Sequence, residues 1–271
     1  MDFKEKQFDE PYEVAEIEIH NEGQIFRGIQ YFPPKNFKRP YPVIIYFHGF
    51  PQLFTLKEIV NDHQFLLEMG YCFISINFRG YRFSEGEISI RSQLSDSKRI
   101  IKFVELMAKK GIFKIEDINI IAHDFGAYIA IILCSQIDLI NKLVLKSPIM
   151  DLNKHVNNND FKKVLNYINR FLPGNIRGIE NVNDFIQMTK KELKRQEFQI
   201  EKAISKLNLK ELKIIIGKED KVTPLHELNS IIQKAKVKPS VLVIDGMDHD
   251  IFEDGKIELI NSELKEFFRI T

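Results

Sequence analysis

The sequence lacks several features that mark particular classes of protein. It contains two cysteines in 271 residues, Cys72 and Cys134, and both fall in segments that we expect to be buried. Such a pair predicts reduced core thiols rather than a disulfide framework. No apolar run is long enough to cross a bilayer, and the first ten residues lack the apolar segment of a signal peptide. These absences predict a cytoplasmic protein that is not bound to a membrane.

The charges of the chain nearly cancel. Its 39 basic and 38 acidic residues leave a formal net charge of +1, and so balanced a chain does not favour a polyanionic partner such as nucleic acid. We expect neither a metal site nor a cofactor, and the oligomeric state stays open. A hydrophobic content of 44% is enough to bury one large core, so we expect a single domain over residues 1–271.

Apolar segments alternate with amphipathic ones along most of the chain. Two alternating segments, 14–20 and 25–31, are separated by N-E-G and predict an antiparallel hairpin. Apolar runs then predict strands at 43–47, 71–76, 118–122, 142–145, 212–216 and 240–244. The intervening patterns predict helices at 56–69, 90–110, 127–134, 225–235 and 256–268. This order predicts the α/β class, with a doubly wound, mostly parallel eight-stranded sheet that binds ligands at the carboxyl ends of its strands.

The segment 151–209 breaks this alternation. It is polar, rich in asparagine and lysine, and helical in pattern. It is too long for a simple connection and too regular for a disordered loop. We interpret it as a small helical lid inserted in the domain. The alternative is a surface excursion that does not contact the functional site.

The most informative stretch is Ile120–Ala130, which reads I-I-A-H-D-F-G-A-Y-I-A. Only the four residues His123–Gly126 separate the predicted strand from the predicted helix. Such a short turn holds one side chain, that of Asp124, clear of the backbone at the N-terminus of a helix. Ala122 and Gly126, two residues before and after Asp124, are the small residues that such a turn needs.

Three more motifs follow predicted strands: H-G-F-P at His48–Pro51, G-K-E-D-K-V-T-P around Asp220, and G-M-D-H ending at His249. Together with the turn at Asp124 they resemble the α/β-hydrolase fold over essentially the full chain, because nucleophile, acid and histidine follow one another in this order there. The resemblance implies a triad of Asp124, Asp220 and His249. Asp151, just past the preceding strand, is the rival acid.

The same resemblance implies further site residues. The backbone N–H groups of Phe50 and Phe125 are the expected oxyanion-hole donors. We expect substrate contacts from His48, Gly49 and Tyr167. His48 and His123 fit structural hydrogen-bonding roles better than catalytic ones. Five phenylalanines suggest an apolar pocket for a small-molecule substrate: Phe50, Phe125, Phe161, Phe171 and Phe185.

A carboxylate in the nucleophile position changes the chemistry. An attack by Asp124 on an ester carbonyl gives an anhydride and leaves the histidine without a role in that step. An attack on an epoxide carbon, or on an alkyl carbon with a leaving group, gives an alkyl-enzyme ester that water activated by His249 can cleave. An aspartate in this position resembles the epoxide hydrolases and the haloalkane or haloacid dehalogenases.

Other residues depart from those enzymes. The lid has a single tyrosine, Tyr167, where epoxide hydrolases have two, and the chain has no tryptophan to hold a halide. Phe125 stands where relatives that act on haloacids have an arginine. The segment Phe78–Glu87 and the N-terminal hairpin resemble the serine esterase and aminopeptidase-like branch, including feruloyl-type esterases.

Three hypotheses therefore stay open. The first is a hydrolase with Asp124 as its nucleophile on an epoxide- or halide-type carbon. The second is an esterase-like hydrolase in which Asp124, in place of serine, has a different role. The third is a catalytically lapsed protein that binds a small ligand or a protein partner.

Overall fold

The structure is a computed structural model that describes residues 12–250 and 254–269. The N-terminal segment that we expect not to be a signal peptide lies outside the described residues. The strands are β1 (Val14–Asn21), β2 (Gln24–Tyr31), β3 (Tyr41–Phe47), β4 (Cys72–Asn77), β5 (Phe113–His123), β6 (Lys142–Lys146), β7 (Glu211–Gly217) and β8 (Ser240–Ile244). They form one eight-stranded sheet in the order β1-β2-β4-β3-β5-β6-β7-β8.

The N-terminal hairpin forms the antiparallel edge of this sheet. β2 pairs antiparallel with both β1 and β4, and every later pair is parallel. Glu22 and Gly23 join the two hairpin strands with positive φ angles of 51° and 78°, which suit the right-handed twist of a tight hairpin. The predicted fold class, α/β with a mostly parallel eight-stranded sheet and an antiparallel hairpin, is confirmed.

The helices are α1 (Leu56–Asp62), α2 (Gln64–Glu68), α3 (Ile90–Lys109), α4 (Phe125–Cys134), α5 (Leu152–Asn157), α6 (Asn159–Phe171), α7 (Val182–Leu193), α8 (Ile200–Ile204), α9 (Leu225–Ile232) and α10 (Asp254–Phe267). The prediction of a single helix over 56–69 is wrong. Two helices meet there at His63, whose φ of −118° leaves the helical region. The buried ring of His63 bonds through Nδ1 to the carbonyl of Ile59 at 2.7 Å.

Both faces of the sheet are covered by helices. Ile45 and Phe47 of β3 belong to the core beneath α3 and α4, while Ile44 and Tyr46 belong to the core beneath α1, α2 and α10. A strand covered on both faces has apolar residues at successive positions, which explains its unbroken apolar run. Cys72 and Cys134 are buried free thiols, as predicted.

Between β6 and β7 the chain forms α5 to α8, with one turn of 3-10 helix at Gln196–Phe198. α5, α6 and α7 pack against one another, α7 also contacts α3, and α8 contacts α4. The loop between α6 and α7 is tied to the loop after β4 by a bridge between Ile176 and Tyr81. Among the described residues, no helix has the length and apolar character needed to cross a membrane.

Candidate active site

Asp124 alone separates β5 from α4. Its backbone has φ 52° and ψ −118°, a conformation that residues with a side chain rarely adopt and that costs roughly 1–3 kcal/mol. The strand and the helix both extend further toward Asp124 than their apolar patterns predict. The resulting turn is sharp enough to hold the carboxylate clear of both elements.

Gly126 lets this turn pack against the end of β3. A Cβ atom at this position would lie 2.4 Å from the carbonyl oxygen of His48 and 2.5 Å from that of Phe47. Backbone atoms cannot yield as a flexible side chain can, so the position excludes any side chain. The close approach brings the His48–Pro51 loop up to the first turn of α4.

Gly49 allows the same loop to reach Asp124. A Cβ atom on Gly49 would lie 2.8 Å from Oδ2 of Asp124 and 2.9 Å from its Cβ. The next residue, Phe50, donates its backbone N–H to Oδ2 of Asp124 at 2.6 Å. One of the two expected main-chain donors therefore already holds the carboxylate. The other, Phe125, is the first residue of α4, where backbone N–H groups have no acceptor within the helix.

His249 lies between two carboxylates. Its Nε2 is 3.0 Å from Oδ1 of Asp124, and its Nδ1 is 2.9 Å from Oδ2 of Asp220. Asp220 follows β7, and its Oδ1 accepts the backbone N–H groups of Val222 and Thr223, each at 2.8 Å. These bonds fix the orientation of the Asp220 carboxylate. The rival acid, Asp151, is exposed and instead caps α5 by accepting the N–H of Lys154.

The charges of this cluster form an ion pair. Burial by itself would lower the pKa of His249, but the hydrogen bonds and charges of Asp124 and Asp220 raise it to about 10. Burial by itself would raise the pKa of Asp124, but the hydrogen bond and charge of His249 hold it well below its usual value. Near neutral pH the resting site therefore contains a carboxylate and an imidazolium.

His48 has a structural position. It is 2% exposed, its Nδ1 donates to the carbonyl of Gly49 at 2.9 Å, and its Nε2 accepts the N–H of Phe78 at 3.4 Å. Its ring packs edge-on against Tyr81 at 4.4 Å, and burial lowers its pKa to about 4. The structural interpretation of His48 fits these contacts, and the expected substrate contact does not.

The structural hydrogen bond expected of His123 is not found at its Nε2. Burial lowers its pKa to about 3, so the ring is neutral. Its Nε2 is buried, and within the described part of the chain it has no hydrogen-bond partner.

A narrow apolar cavity lies beside Phe125, the residue that follows Asp124, and beside Phe50, whose N–H bonds to Asp124; Asp124 itself is not part of the lining. Four of the five expected phenylalanines line it: Phe50, Phe125, Phe161 and Phe185. The rings of Phe161 and Phe185 lie 5.7 and 5.5 Å from that of Phe50. The free volume is about 10 Å³, which is room for roughly one water molecule. The fifth phenylalanine, Phe171, is 55% exposed and lies outside the cavity, contrary to the expectation.

Tyr167 does not reach the site, and the substrate contact expected of it is wrong. Its side chain is 58% exposed and packs against Phe171 at 4.7 Å. The buried stripe of α6 consists of Phe161, Leu165 and Ile168. This spacing turns Tyr167 to the opposite face of the helix.

His155 is a residue near the site that the sequence motifs missed. It lies on α5, is half-buried, and packs against Phe161 with ring centroids 4.5 Å apart. Burial lowers the pKa of His155, as does the charge of His249, while the charges of Asp124 and Asp220 oppose this. The sequence does contain one sign of its position: the four-residue spacing of Leu152 and Val156 indicates the face of α5 that turns inward.

A second buried polar group lies close by, on the face of the sheet opposite α4. Lys146, at the end of β6, places its Nζ 3.2 Å from Nε2 of His63 and 5.4 Å from the ring centroid of Tyr46. Burial lowers the pKa of Lys146 to about 8, although the charge of Asp62 opposes this. Among the described residues, no group of His, Cys, Asp and Glu is arranged to hold a metal ion.

Known proteins resemble this chain in both sequence and fold. Residues 42–191 match the family model described as "alpha/beta hydrolase fold". The lysophosphatidylserine lipase ABHD12 of Danio rerio is 26% identical over 145 residues, which are 52% of this chain and 35% of that protein. The match thus spans about a third of the length of the curated relative.

Two solved esterases share the architecture over nearly the whole chain. Est1E from Butyrivibrio proteoclasticus, with ferulic acid bound, aligns with a TM-score of 0.71 at 18% identity, covering 93% of this chain and 97% of that chain. The Pyrococcus furiosus esterase Pf2001 aligns with a TM-score of 0.69 at 19% identity, covering 96% and 91%. At identities this low, the structural similarity shows a common fold and no more.

Proposed function

This chain belongs to the α/β hydrolase fold family, and from that premise we propose that it is a hydrolase whose nucleophile is Asp124. The proposed substrate is small and fairly apolar, and carries an epoxide- or halide-type carbon. One observation carries the proposal: the carboxylate lies between the N–H of Phe50, at 2.6 Å, and the imidazole of His249, at 3.0 Å. The two contacts use different carboxylate oxygens, which gives each oxygen a separate role.

In the first step, Oδ1 of Asp124 attacks the carbon. The bond to the leaving atom breaks, and its electron pair departs with the halide or with the epoxide oxygen. Oδ2 becomes the carbonyl oxygen of the alkyl-enzyme ester and keeps its hydrogen bond from Phe50. A carboxylate whose pKa is held below its usual value is fully ionised and ready for this attack.

Formation of the ester changes the state of His249. The resting imidazolium is stabilised by two carboxylates, and the ester removes the charge of one of them, Asp124. The pKa of His249 then falls, and its proton leaves. That proton neutralises the alkoxide of an opened epoxide, or it is released together with a halide ion. The neutral ring is now a general base, as hydrolysis of the ester requires.

In the second step, His249 takes a proton from a water molecule whose oxygen attacks the ester carbonyl. Negative charge develops on Oδ2 of Asp124, which the N–H of Phe50 already faces and which Phe125 can also serve. The alcohol oxygen leaves with the proton from His249. The carboxylic acid of Asp124 then returns its proton to His249, which restores the ion pair.

The helices α5 to α7 serve as the lid in this proposal. Phe161 and Phe185 come from α6 and α7 and fill the space above Phe50, so a substrate has to displace them to reach Asp124. An apolar lining favours an apolar substrate.

An ester hydrolase with a different role for Asp124 is the second candidate. It is favoured by the relative named as a lysophosphatidylserine lipase. Its difficulty is the first step, since attack by a carboxylate on an ester gives an anhydride.

Hydrolysis in water enriched in heavy oxygen tests both candidates. The enzyme is incubated with butyl halides, butylene oxide and p-nitrophenyl butyrate, and the peptide that contains Asp124 is weighed. Label in Asp124 supports the nucleophile. Turnover with label in the product alone supports the second candidate. Absence of turnover across the panel opposes both candidates and favours a binding protein. The Asp124→Asn variant is the control, since it can form no alkyl ester.

A further inference from the structure

α5 turns one face toward the cavity beside Phe125. Leu152 and Val156 line that cavity, and their spacing places them on the same side of the helix. His155 lies three residues after Leu152 and so shares this side. Its ring packs against Phe161, another lining residue, at 4.5 Å. The imidazole therefore contacts a side chain of the cavity wall.

The ring of His155 also lies near the charged groups of the site. A positive charge on this ring would be favoured by Asp124 and Asp220 and opposed by His249. Burial lowers the pKa of His155 below the ordinary value, so the ring is neutral near pH 7 and carries one N–H donor. Throughout residues 12–250 and 254–269, no side chain or backbone group forms a hydrogen bond with either ring nitrogen.

The two polar side chains that line the cavity, Ser89 and Thr189, form hydrogen bonds within the protein. Ser89 caps α3, where its Oγ accepts the N–H of Ser92 at 2.9 Å. Thr189 donates its Oγ1 hydrogen to the carbonyl of Phe185 at 2.9 Å. Both polar residues of the lining thus form hydrogen bonds within the protein, whereas the imidazole of His155 forms none with the described residues.

In a displacement, the leaving atom departs on the side of the carbon away from the attacking oxygen. Asp124 attacks from the sheet, so the leaving atom points toward the helices that cover the site. Negative charge develops on that atom, and a positioned hydrogen-bond donor stabilises it. Tyr167 cannot supply the donor because it faces away from the site.

We propose that His155 donates a hydrogen bond to the leaving atom of the substrate, a halide ion or the oxygen of an opening epoxide. This rests on the proposed function of Asp124. His155 gives up no proton: a halide departs as the anion, and an epoxide oxygen takes the proton that His249 sheds. The proposal assigns the specificity of the site to electrophiles whose leaving atom is compact and accepts a hydrogen bond.

The test separates the two chemical steps. The wild type and His155→Leu are mixed with butyl chloride, bromide or iodide in single-turnover experiments, and the mass of the Asp124 peptide is followed in time. We expect alkylation of Asp124 to slow on the order of 10² to 10³-fold in the variant, as on loss of one oxyanion donor. The loss should be largest for chloride, the poorest leaving group. Hydrolysis of the ester should keep its wild-type rate.

Two further variants serve as controls. His155→Gln keeps an N–H donor and should recover most of the lost alkylation rate. His226→Leu removes an exposed histidine on α9 and should match the wild type. The melting temperature of each variant is measured as a check of folding.

Each remaining outcome counts against a stated part of the account. Wild-type alkylation by His155→Leu, or an equal slowing of both steps, overturns the role of His155 and leaves Asp124 as the nucleophile. If the wild type forms no ester on Asp124, the proposed function fails, and the role of His155 fails with it.

Discussion

Nε2 of His249 lies 3.0 Å from Oδ1 of Asp124, although 125 residues separate the two along the chain. In a serine enzyme the corresponding histidine accepts a proton from the nucleophile. Here the nucleophile position holds a carboxylate with no proton to give, so the same contact becomes an ion pair. In the proposed mechanism, this pair explains why His249 is charged at rest and becomes a base only once Asp124 is esterified.

The first prediction concerns the pH dependence of stability. The pKa of His249 is about 10 in the folded protein, against an ordinary value of 6.5. Its contribution is complete below pH 6.5 and is lost as the pH rises toward 10. Between pH 6.5 and 7.5, where most of Lys146 is still protonated, the free energy of unfolding should fall by roughly 1 kcal/mol. Urea unfolding across this interval measures the fall.

Asp124→Asn should reduce this fall, since it removes one of the two carboxylates that raise the pKa of His249. His226→Gln, at an exposed site on α9, should keep the wild-type pH dependence. An Asp124→Asn protein with the full wild-type fall would show that the pair is not charged in the folded state.

The second prediction is a change of chemistry in Asp124→Ser. The serine hydroxyl would stand near His249 and the N–H of Phe50, the parts that ester hydrolysis needs. Loss of the Asp124 charge also lowers the pKa of His249, so the ring can act as a base. Hydrolysis of p-nitrophenyl butyrate should rise at least about tenfold over the wild type. The double variant Asp124→Ser/His249→Ala should lose the gain, and a folded but inert single variant would contradict the prediction.

The third prediction concerns Gly126. In Gly126→Ala the new methyl group meets the backbone carbonyls of His48 and Phe47 at 2.4 and 2.5 Å. The His48–Pro51 loop has to move, so stability should fall by about 1–3 kcal/mol and alkylation of Asp124 should slow. Gly255→Ala is the matched control, because its methyl group meets nothing within 4 Å and lies in a helix, where alanine is favoured. Equal melting temperatures of the two variants would refute the clash.

The fourth prediction concerns the covering helices. Phe161→Ala removes a ring that packs 5.7 Å from Phe50 and should widen the cavity. Turnover should shift toward longer alkyl halides, and the loss of packing should cost on the order of 3 kcal/mol. Tyr167→Ala is the control: its side chain is 58% exposed, so chain-length preference should stay unchanged. Equal preferences in both variants would place the substrate elsewhere.

The sequence predicted the parts of the molecule that local rules determine. Strand ends follow from apolar runs, and the turn at Asp124 follows from small neighbours such as Gly126, so both could be located without coordinates. The meeting of Asp124, Asp220 and His249 also follows from a local rule, because the carboxyl ends of parallel strands lie at one edge of a sheet. Their catalytic roles stay predictions.

Local rules do not predict which side chains of the covering helices face the site. Whether Tyr167 or His155 faces Asp124 depends on how α5 and α6 dock, and a count of tyrosines in the segment cannot reveal that. The buried spacing of Phe161, Leu165 and Ile168 turns Tyr167 outward. The break between α1 and α2 at His63 also depends on packing, because the ring turns inward to meet Lys146, a partner 83 residues away along the chain.

The last prediction concerns that buried pair. Burial lowers the pKa of Lys146 to about 8 from its ordinary 10.5, which means that folding disfavours the charged amine. Between these two values the unfolded chain binds more protons than the folded one, so Lys146 makes stability rise with pH. It opposes the loss due to His249 in the same range. In Lys146→Met the rise disappears, and stability should fall steadily from pH 8 to 10.

Lys238→Met, on the surface before β8, provides the control and should keep the wild-type profile. The contrast is measured by urea unfolding at pH 8, 9 and 10. A Lys146→Met profile that matches the wild type would mean that Lys146 keeps its ordinary pKa in the folded protein. An ordinary pKa would mean that the charged amine of Lys146 is as stable inside the protein as in water. A buried amine beside the uncharged ring of His63 reaches that stability only with a further counter-charge, such as that of Asp62.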